Sequence, residues 1–220
     1  MRQLLLDFTQ APAPTFANFV PGGNAELLDA VESAARGECP ERVIYLWGEP
    51  GAGKSHLASA FEASTRGREG YRVIDGIERF SDAEQVALFN DFNERNFGFL
   101  LVTAGASPRD VALRRDLATR LATGLTYRVL PLTDSEKRAA LAAHAKVRGF
   151  DLSEDVSSYL LTHARRDMRS LMMALDAIDR YSLETGRPVT VPLLKAAMQP
   201  GTAATEPGTD PQRVNRGLSP

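Results

Sequence analysis

The stretch "GEPGAGKS" (Gly48 to Ser55) fits G-x-x-x-x-G-K-[ST], and nothing else in the chain limits its fold as tightly. It follows "RVIYLW" (Arg42 to Trp47), a continuous apolar run of the kind buried on both faces of a sheet, and it precedes an apolar-faced helical stretch. A glycine-rich loop between a buried strand and a helix is a phosphate-binding loop. The glycines let backbone N–H groups wrap phosphates, Lys54 reaches the β- and γ-phosphates, and Ser55 ligates Mg²⁺. Gly48, Gly51, Gly53, Lys54 and Ser55 are therefore candidate nucleotide-binding residues, for ADP or ATP with Mg²⁺.

Such a loop requires an acidic Mg²⁺ partner at the end of another buried strand, and "YRVID" supplies Asp75. The position after it is Gly76, where self-acting ATPases of this type carry a second carboxylate. Glu78, three positions on, is expected to point elsewhere, so tight binding with slow intrinsic hydrolysis is the expectation. "FGFLLVTAG" reads as a third strand and "TYRVLPL" as a fourth. Thr103, at the end of the third, either touches the γ-phosphate or the attacking water or simply ends a strand.

Strands alternating with helices imply an α/β fold, a parallel sheet of about four strands with helices on both faces. Asn24 is read as the cap of a helix with Leu27, Leu28, Val31 and Ala35 on one face. Ser81 with Glu84 makes a capping box before a helix whose apolar stripe includes Val86, Phe89 and Phe92. Past Leu132 the pattern is helical only: Thr133 and Glu136 form a second capping box, Ser153 caps another helix, and a helix from about Met168 carries Leu171, Leu175 and Ile178. A last short helix starts after Thr190 with Pro192 in its first turn. The resulting division is 1–14 as a peptide and linker, 15–131 as the nucleotide-binding body, 132–199 as a small all-α lid and 200–220 as a disordered tail.

Composition excludes several classes. A net charge of −2 over 220 residues gives no global attraction to nucleic acid or an anionic membrane. The lone Cys39 rules out an internal disulfide framework, and no apolar run approaches the ~18 residues of a membrane span. A cytoplasmic protein is the expectation. Arg109, Arg114, Arg115 and Arg120 cluster in one region, either as a solvated helix face, which composition favours, or as a phosphate-binding patch. Arg165, Arg166 and Arg169 precede or begin the long lid helix, and spacing does not rank them. His56, His144 and His163 are read as structural.

In this order, a P-loop, an Asp-ended strand, a polar-ended strand, "TRL" and "MRSL" resemble the AAA+ domain of the bacterial replication initiator DnaA. "TFANFVPGGNAEL" resembles the segment that opens that domain and borders the adenine pocket, through Phe19 and Val20. "LTDSEKRAAL", "VRGFDLSEDV" and "LTHARRDMRSL" resemble more closely the Hda family, DnaA paralogues that act as regulatory inactivators. The resemblance spans about residues 15–199 and implies that Arg120 is an arginine finger acting in trans, and Arg169 a sensor of the bound phosphate state. It also implies resident ADP. The front stretch "QLLLDF" resembles the sliding-clamp motif Q-L-x-L-x-[LF] through Gln3, Leu4, Leu6 and Phe8. Leu6 and Phe8 suit an apolar pocket and Gln3 its rim, as expected of a short extended peptide with few anchors.

What the resemblance implies is a negative regulator of replication initiation. It would be tethered to the DNA polymerase III β sliding clamp and would stimulate hydrolysis of DnaA-bound ATP, with no strong direct DNA binding and with a homo-oligomer left open. The absence of a helix-turn-helix pattern beyond Gln199 disfavours an initiator role. The alternatives are a self-acting AAA+ ATPase of helicase-loader type and an interaction module holding a structural nucleotide. The sequence departs from the family between Lys54 and Asp75, where a further strand and helix are missing.

Overall fold

The computed structural model describes residues 12–165 and 167–198. Gln3, Leu4, Leu6 and Phe8 of the clamp motif, Arg166 and the 200–220 segment lie outside the described residues.

The body is built on α1 (Ala25–Arg36), β1 (Val43–Trp47), α2 (Lys54–Ser64), β2 (Tyr71–Ile74), α3 (Asp82–Glu94), β3 (Phe99–Ala104), α4 (Arg115–Leu121) and β4 (Leu125–Arg128). The four strands are all parallel, in the order β2-β3-β1-β4. Parallel neighbours need crossovers, and each one supplies a helix to cover a face of the sheet. Because side chains alternate across a strand, Ile44 and Leu46 enter one core with Val31, Leu57 and Phe61 from α1 and α2. Val43 and Tyr45 enter the other, with Leu88, Leu117 and Leu121 from α3 and α4. Both faces of β1 are dry, which is why its sequence is an unbroken apolar run.

The shortened stretch after Lys54 has a simple structural outcome. α2 leads directly into β2, which pairs only with β3 and forms the sheet edge. Arg72 on that edge pairs with Asp91, a charge on an open strand margin.

The lid comprises α5 (Asp134–Val147), α6 (Glu154–His163), α7 (Met168–Thr185) and α8 (Val191–Met198). Its core is Leu141, Leu160, Leu171, Leu175, Ile178 and Leu194. Both capping boxes form: Ser81 with Glu84 starts α3, and Thr133 with Glu136 starts α5. Ser153 caps α6 and Asp167 caps α7, each accepting a backbone N–H three residues on. No helix among the described residues is long and apolar enough to cross a membrane.

Two sequence expectations change. Asn24 holds the N-cap position of α1, but its side chain makes no cap hydrogen bond. A single turn of 3-10 helix (Gly22–Asn24) precedes that helix, and the buried Asn24 side chain crosses to the far end of the body. Its Nδ2 donates to Leu130 O and its Oδ1 accepts from Leu130 N at 2.9 and 2.7 Å. An amide offers both a donor and an acceptor, so it satisfies a peptide on the exit of β4 as a neighbouring strand would. On α3 the inward residues are Gln85 and Leu88, with Phe92 partly buried, whereas Val86 is 37% exposed. Gln85 is buried because its Oε1 accepts from Arg114 N and its Nε2 donates to Phe80 O, polar groups that an apolar stripe would leave unpaired.

Candidate nucleotide site

The C-terminal ends of parallel strands form the crevice where ligands bind in open α/β sheets. Here those ends bring together the loop after β1, Asp75 after β2 and Thr103 near the end of β3. Gly48 N–H donates to Ala104 O, tying the start of the loop to β3. Gly51 lies in the following turn. Gly53 is left-handed at φ +105°, and a Cβ there would stand 2.8 Å from the ring of Phe19. A side chain at that point would both strain the backbone and push Phe19 off the loop.

α2 begins at Lys54, so its first N–H groups face the loop. The Lys54 ammonium folds back onto the loop, donating to Gly48 O at 2.7 Å and Glu49 O at 2.9 Å. Burial lowers its pKa, and the carboxylates of Glu78 and Asp75, in that order, oppose the shift. Asp75 Oδ1 accepts from Ser55 Oγ at 3.1 Å and from Thr103 Oγ1 at 2.6 Å. Thr103 is 1% exposed, and its hydroxyl also accepts from Gly76 N at 2.9 Å. The threonine thus orients the carboxylate and closes the turn behind it.

Phe19 and Val20 lie on the segment that precedes α1 and are half-buried. Phe19 also approaches His56, with ring centroids 5.5 Å apart, and His56 Nε2 donates to Thr15 O at 2.9 Å. A carbonyl only accepts, so the proton sits on Nε2. His56 therefore pins the front segment over the P-loop helix, a structural role. His144 and His163 are structural too, bonded to Asp176 and to Tyr159 O respectively.

Glu78 is placed by the turn that follows Asp75. Gly76 is left-handed at φ +79°, and the chain turns at once into a 3-10 segment (Ile77–Arg79). Ile77 is buried completely, so the turn is anchored in the core. A Cβ at Gly105 would stand 3.6 Å from Glu78 Oε1, so the carboxylate lies over the C-terminal end of β3. It raises the pKa of the buried Tyr45 hydroxyl, second to burial itself. The signal for this was the local order Gly-Ile-Glu: a left-handed glycine followed by an apolar residue that must turn inward.

Arg120 is not part of this crevice. α3 and α4 end where β3 and β4 begin, so their C-termini lie at the N-terminal ends of the parallel strands, opposite the P-loop. Arg120 is exposed there, donating to Asn93 Oδ1 at 3.3 Å. Beside it an open depression of about 710 Å³ is lined by Phe89, Arg114, Arg115, Asp116 and Thr119. Arg169 is exposed at the second position of α7, and no hydrogen bond or ion pair among the described residues joins it to the loop.

The donor set fits a nucleoside phosphate: a cation, a helix N-terminus and a glycine-lined loop for the anion, and an aromatic ring beside it. Among the described residues no cluster of three or more His, Cys, Asp or Glu side chains could hold a metal by itself. Ser55 and Asp75 are then the protein oxygens available to a Mg²⁺, an ion that is usually held by one or two protein oxygens plus phosphates and water.

The family model for the Hda lid domain matches residues 134–198. Among solved structures, domain III of the Thermotoga maritima replication initiation protein DnaA aligns with a TM-score of 0.67 at 18% identity, over 85% of this chain and 96% of that one. AMPPCP-bound DnaA from Aquifex aeolicus aligns at 0.64 and 20% identity, over 79% and 67%. A mutant of Thermotoga maritima RuvB aligns at 0.58 and 14% identity, over 84% and 72%. The chain shares the fold of DnaA domain III, and its residues 134–198 match the Hda lid family.

Proposed function

We propose that the protein is a DnaA-related negative regulator of replication initiation. It binds an adenine nucleotide through Gly48, Gly51, Gly53, Lys54 and Ser55, with Phe19 and Val20 beside the base and Arg169 of the lid facing the phosphates. Ser55 and Asp75 hold Mg²⁺, which supplies charge neutralisation at the phosphates when bound. Gln3, Leu4, Leu6 and Phe8 dock on the sliding clamp, and the linker raises the local concentration of the body near DnaA. Arg120 then enters the ATP site of DnaA, where an arginine finger stabilises charge on the transferring phosphoryl group.

The observation that carries this reading is the separation of Arg120 from Lys54 by the depth of the sheet, in a chain with an Hda-type lid. An exposed arginine that cannot reach its own nucleotide is free to serve another subunit's. The test is to mix the protein with clamp-loaded DNA and ATP-bound DnaA. Conversion of DnaA-bound ATP to ADP should accelerate only when the clamp is loaded, and Gln3→Ala with Phe8→Ala should abolish clamp pulldown. No acceleration in the complete mixture refutes the reading.

A further inference from the structure

We propose that the open margin of β2 is a docking site for this chain's own front segment, Gln3 to Phe8, which pairs there as a fifth parallel strand and is thereby withheld from other partners. Only the last consequence, competition with the sliding clamp, rests on the reading of that segment as a clamp-binding peptide.

Two hydrogen bonds fix which way β2 presents its backbone. Gly70 O accepts from Phe99 N at 3.0 Å, and Gly76 N donates to Thr103 O at 3.2 Å. The N–H and C=O of one residue in a strand point to the same side, and the side alternates along the chain. The even positions from 70 to 76 therefore face β3, and the backbone groups of Tyr71 and Val73 face outward. No strand among the described residues pairs on that side. The Tyr71 and Val73 side chains are only half-buried, at the rim of the core that α2 covers. An edge with outward donors and acceptors and a half-covered apolar rim accepts one more strand.

The path of the chain selects the occupant. Asn24 is bonded to Leu130, just past β4, and Phe19 lies against Gly53 in the loop after β1. Thr15 O is bonded to His56 on α2, the helix that packs on β3 and β2. Traced back toward its start, the chain thus crosses the sheet from the β4 side and heads for the β2 margin. Phe8 is seven positions before Thr15, a reach of about 23 Å, whereas neighbouring strands are about 4.8 Å apart. Because Thr15 sits at the P-loop end of the sheet, a segment that leads to it runs parallel to β2. Its sequence suits the place. Leu4, Leu6 and Phe8 alternate onto one face, to match Tyr71 and Val73, and Asp7 falls on the other, the face of Arg72. With the faces matched in this way, the backbone groups turned toward β2 are those of the odd positions, Leu5 and Asp7 among them.

While Leu4, Leu6 and Phe8 cover the edge they cannot fill a pocket elsewhere. A segment held there about nine-tenths of the time docks about tenfold more weakly than a free one. The test follows amide hydrogen exchange by NMR in the full-length protein at two concentrations, together with binding to the sliding clamp. In wild type the amides of Leu5, Asp7, Tyr71 and Val73 should exchange about tenfold or more slowly than unpaired chain. Leu6→Glu, which puts a charge on the apolar face of the segment, should release Tyr71 and Val73 while Leu100 and Leu101 in β3 stay protected. Val73→Pro removes an outward donor and leaves the β3 ladder its bonds, so it should release Leu5 and Asp7 and raise clamp affinity about tenfold. Leu5 and Asp7 amides that exchange as unpaired chain in wild type, or Tyr71 and Val73 amides indifferent to Leu6→Glu, overturn the proposal. Protection that grows with protein concentration also overturns it, by assigning the edge to a second copy. Protection as expected in a protein that never binds the clamp leaves the edge pairing standing and overturns the clamp reading instead.

Discussion

Thr103 is the best point at which to test how the crevice is held. Replacing it with valine keeps the β-branched shape on a fully buried strand and removes only the hydroxyl. That hydroxyl donates to Asp75 Oδ1 at 2.6 Å and accepts from Gly76 N at 2.9 Å. A hydrogen bond to a charged group contributes about 1.5–3 kcal/mol, but Asp75 is exposed and water replaces part of it. Gly76 N is not orphaned, because it also donates to the Thr103 carbonyl at 3.2 Å. The net loss should therefore be about 1–2 kcal/mol, or roughly 2–8 °C in Tm for a chain of this size. Trp47, the single tryptophan, ends β1 beside the loop, so its fluorescence during urea unfolding reports on the body rather than the lid. Thr103→Ser, which restores the hydroxyl, should recover most of the loss. A valine variant within about 0.3 kcal/mol of wild type, or a serine variant no better than valine, would refute the reasoning.

Asn24→Ala strips both partners from the Leu130 peptide and should cost about 1–3 kcal/mol, with faster hydrogen exchange at the Leu130 amide as the local readout. Gly53→Ala should cost about 1–3 kcal/mol in the strained loop and displace Phe19, so calorimetry should find adenine nucleotide binding lost in a protein that still unfolds cooperatively. The capping boxes hold the Glu84 and Glu136 carboxyls below their usual range through hydrogen bonds from Ser81 and Thr133. Lowered folded values mean that this stabilisation is complete above the unfolded carboxyl pKa, about 4.3, and is lost as pH falls through the lower folded values. Urea midpoints should therefore decline in that acid window, and the decline should be shallower in a Glu84→Gln/Glu136→Gln protein.

Much of this was legible in the chain. The loop glycines, Lys54 and Ser55 announced themselves because phosphate wrapping demands a fixed spacing. β1 and β3 were readable because a strand dry on both faces leaves no polar residue to confuse the pattern. The capping boxes were readable because they close within four residues. What escaped was set by distant partners. Asn24 looked like a cap because caps favour asparagine, but its partner Leu130 is 106 positions away. Gln85 and Val86 exchanged roles because hydrogen bonds to Phe80 O and from Arg114 N outweighed apolar periodicity. Arg120 stood out only through resemblance. Its position at the end of the sheet away from the P-loop depends on β4 running parallel to β1, which no local pattern reveals.

The central claim is that Arg120 works on a nucleotide outside its own chain. The most direct measurement is the hydrolysis rate of DnaA-bound ATP, in the presence of clamp-loaded DNA, with Arg120→Ala in place of wild type. Arginine fingers are worth about 10³–10⁵ in rate, so the acceleration should vanish while the variant still binds its own nucleotide with wild-type affinity. Undiminished acceleration by Arg120→Ala would contradict the account.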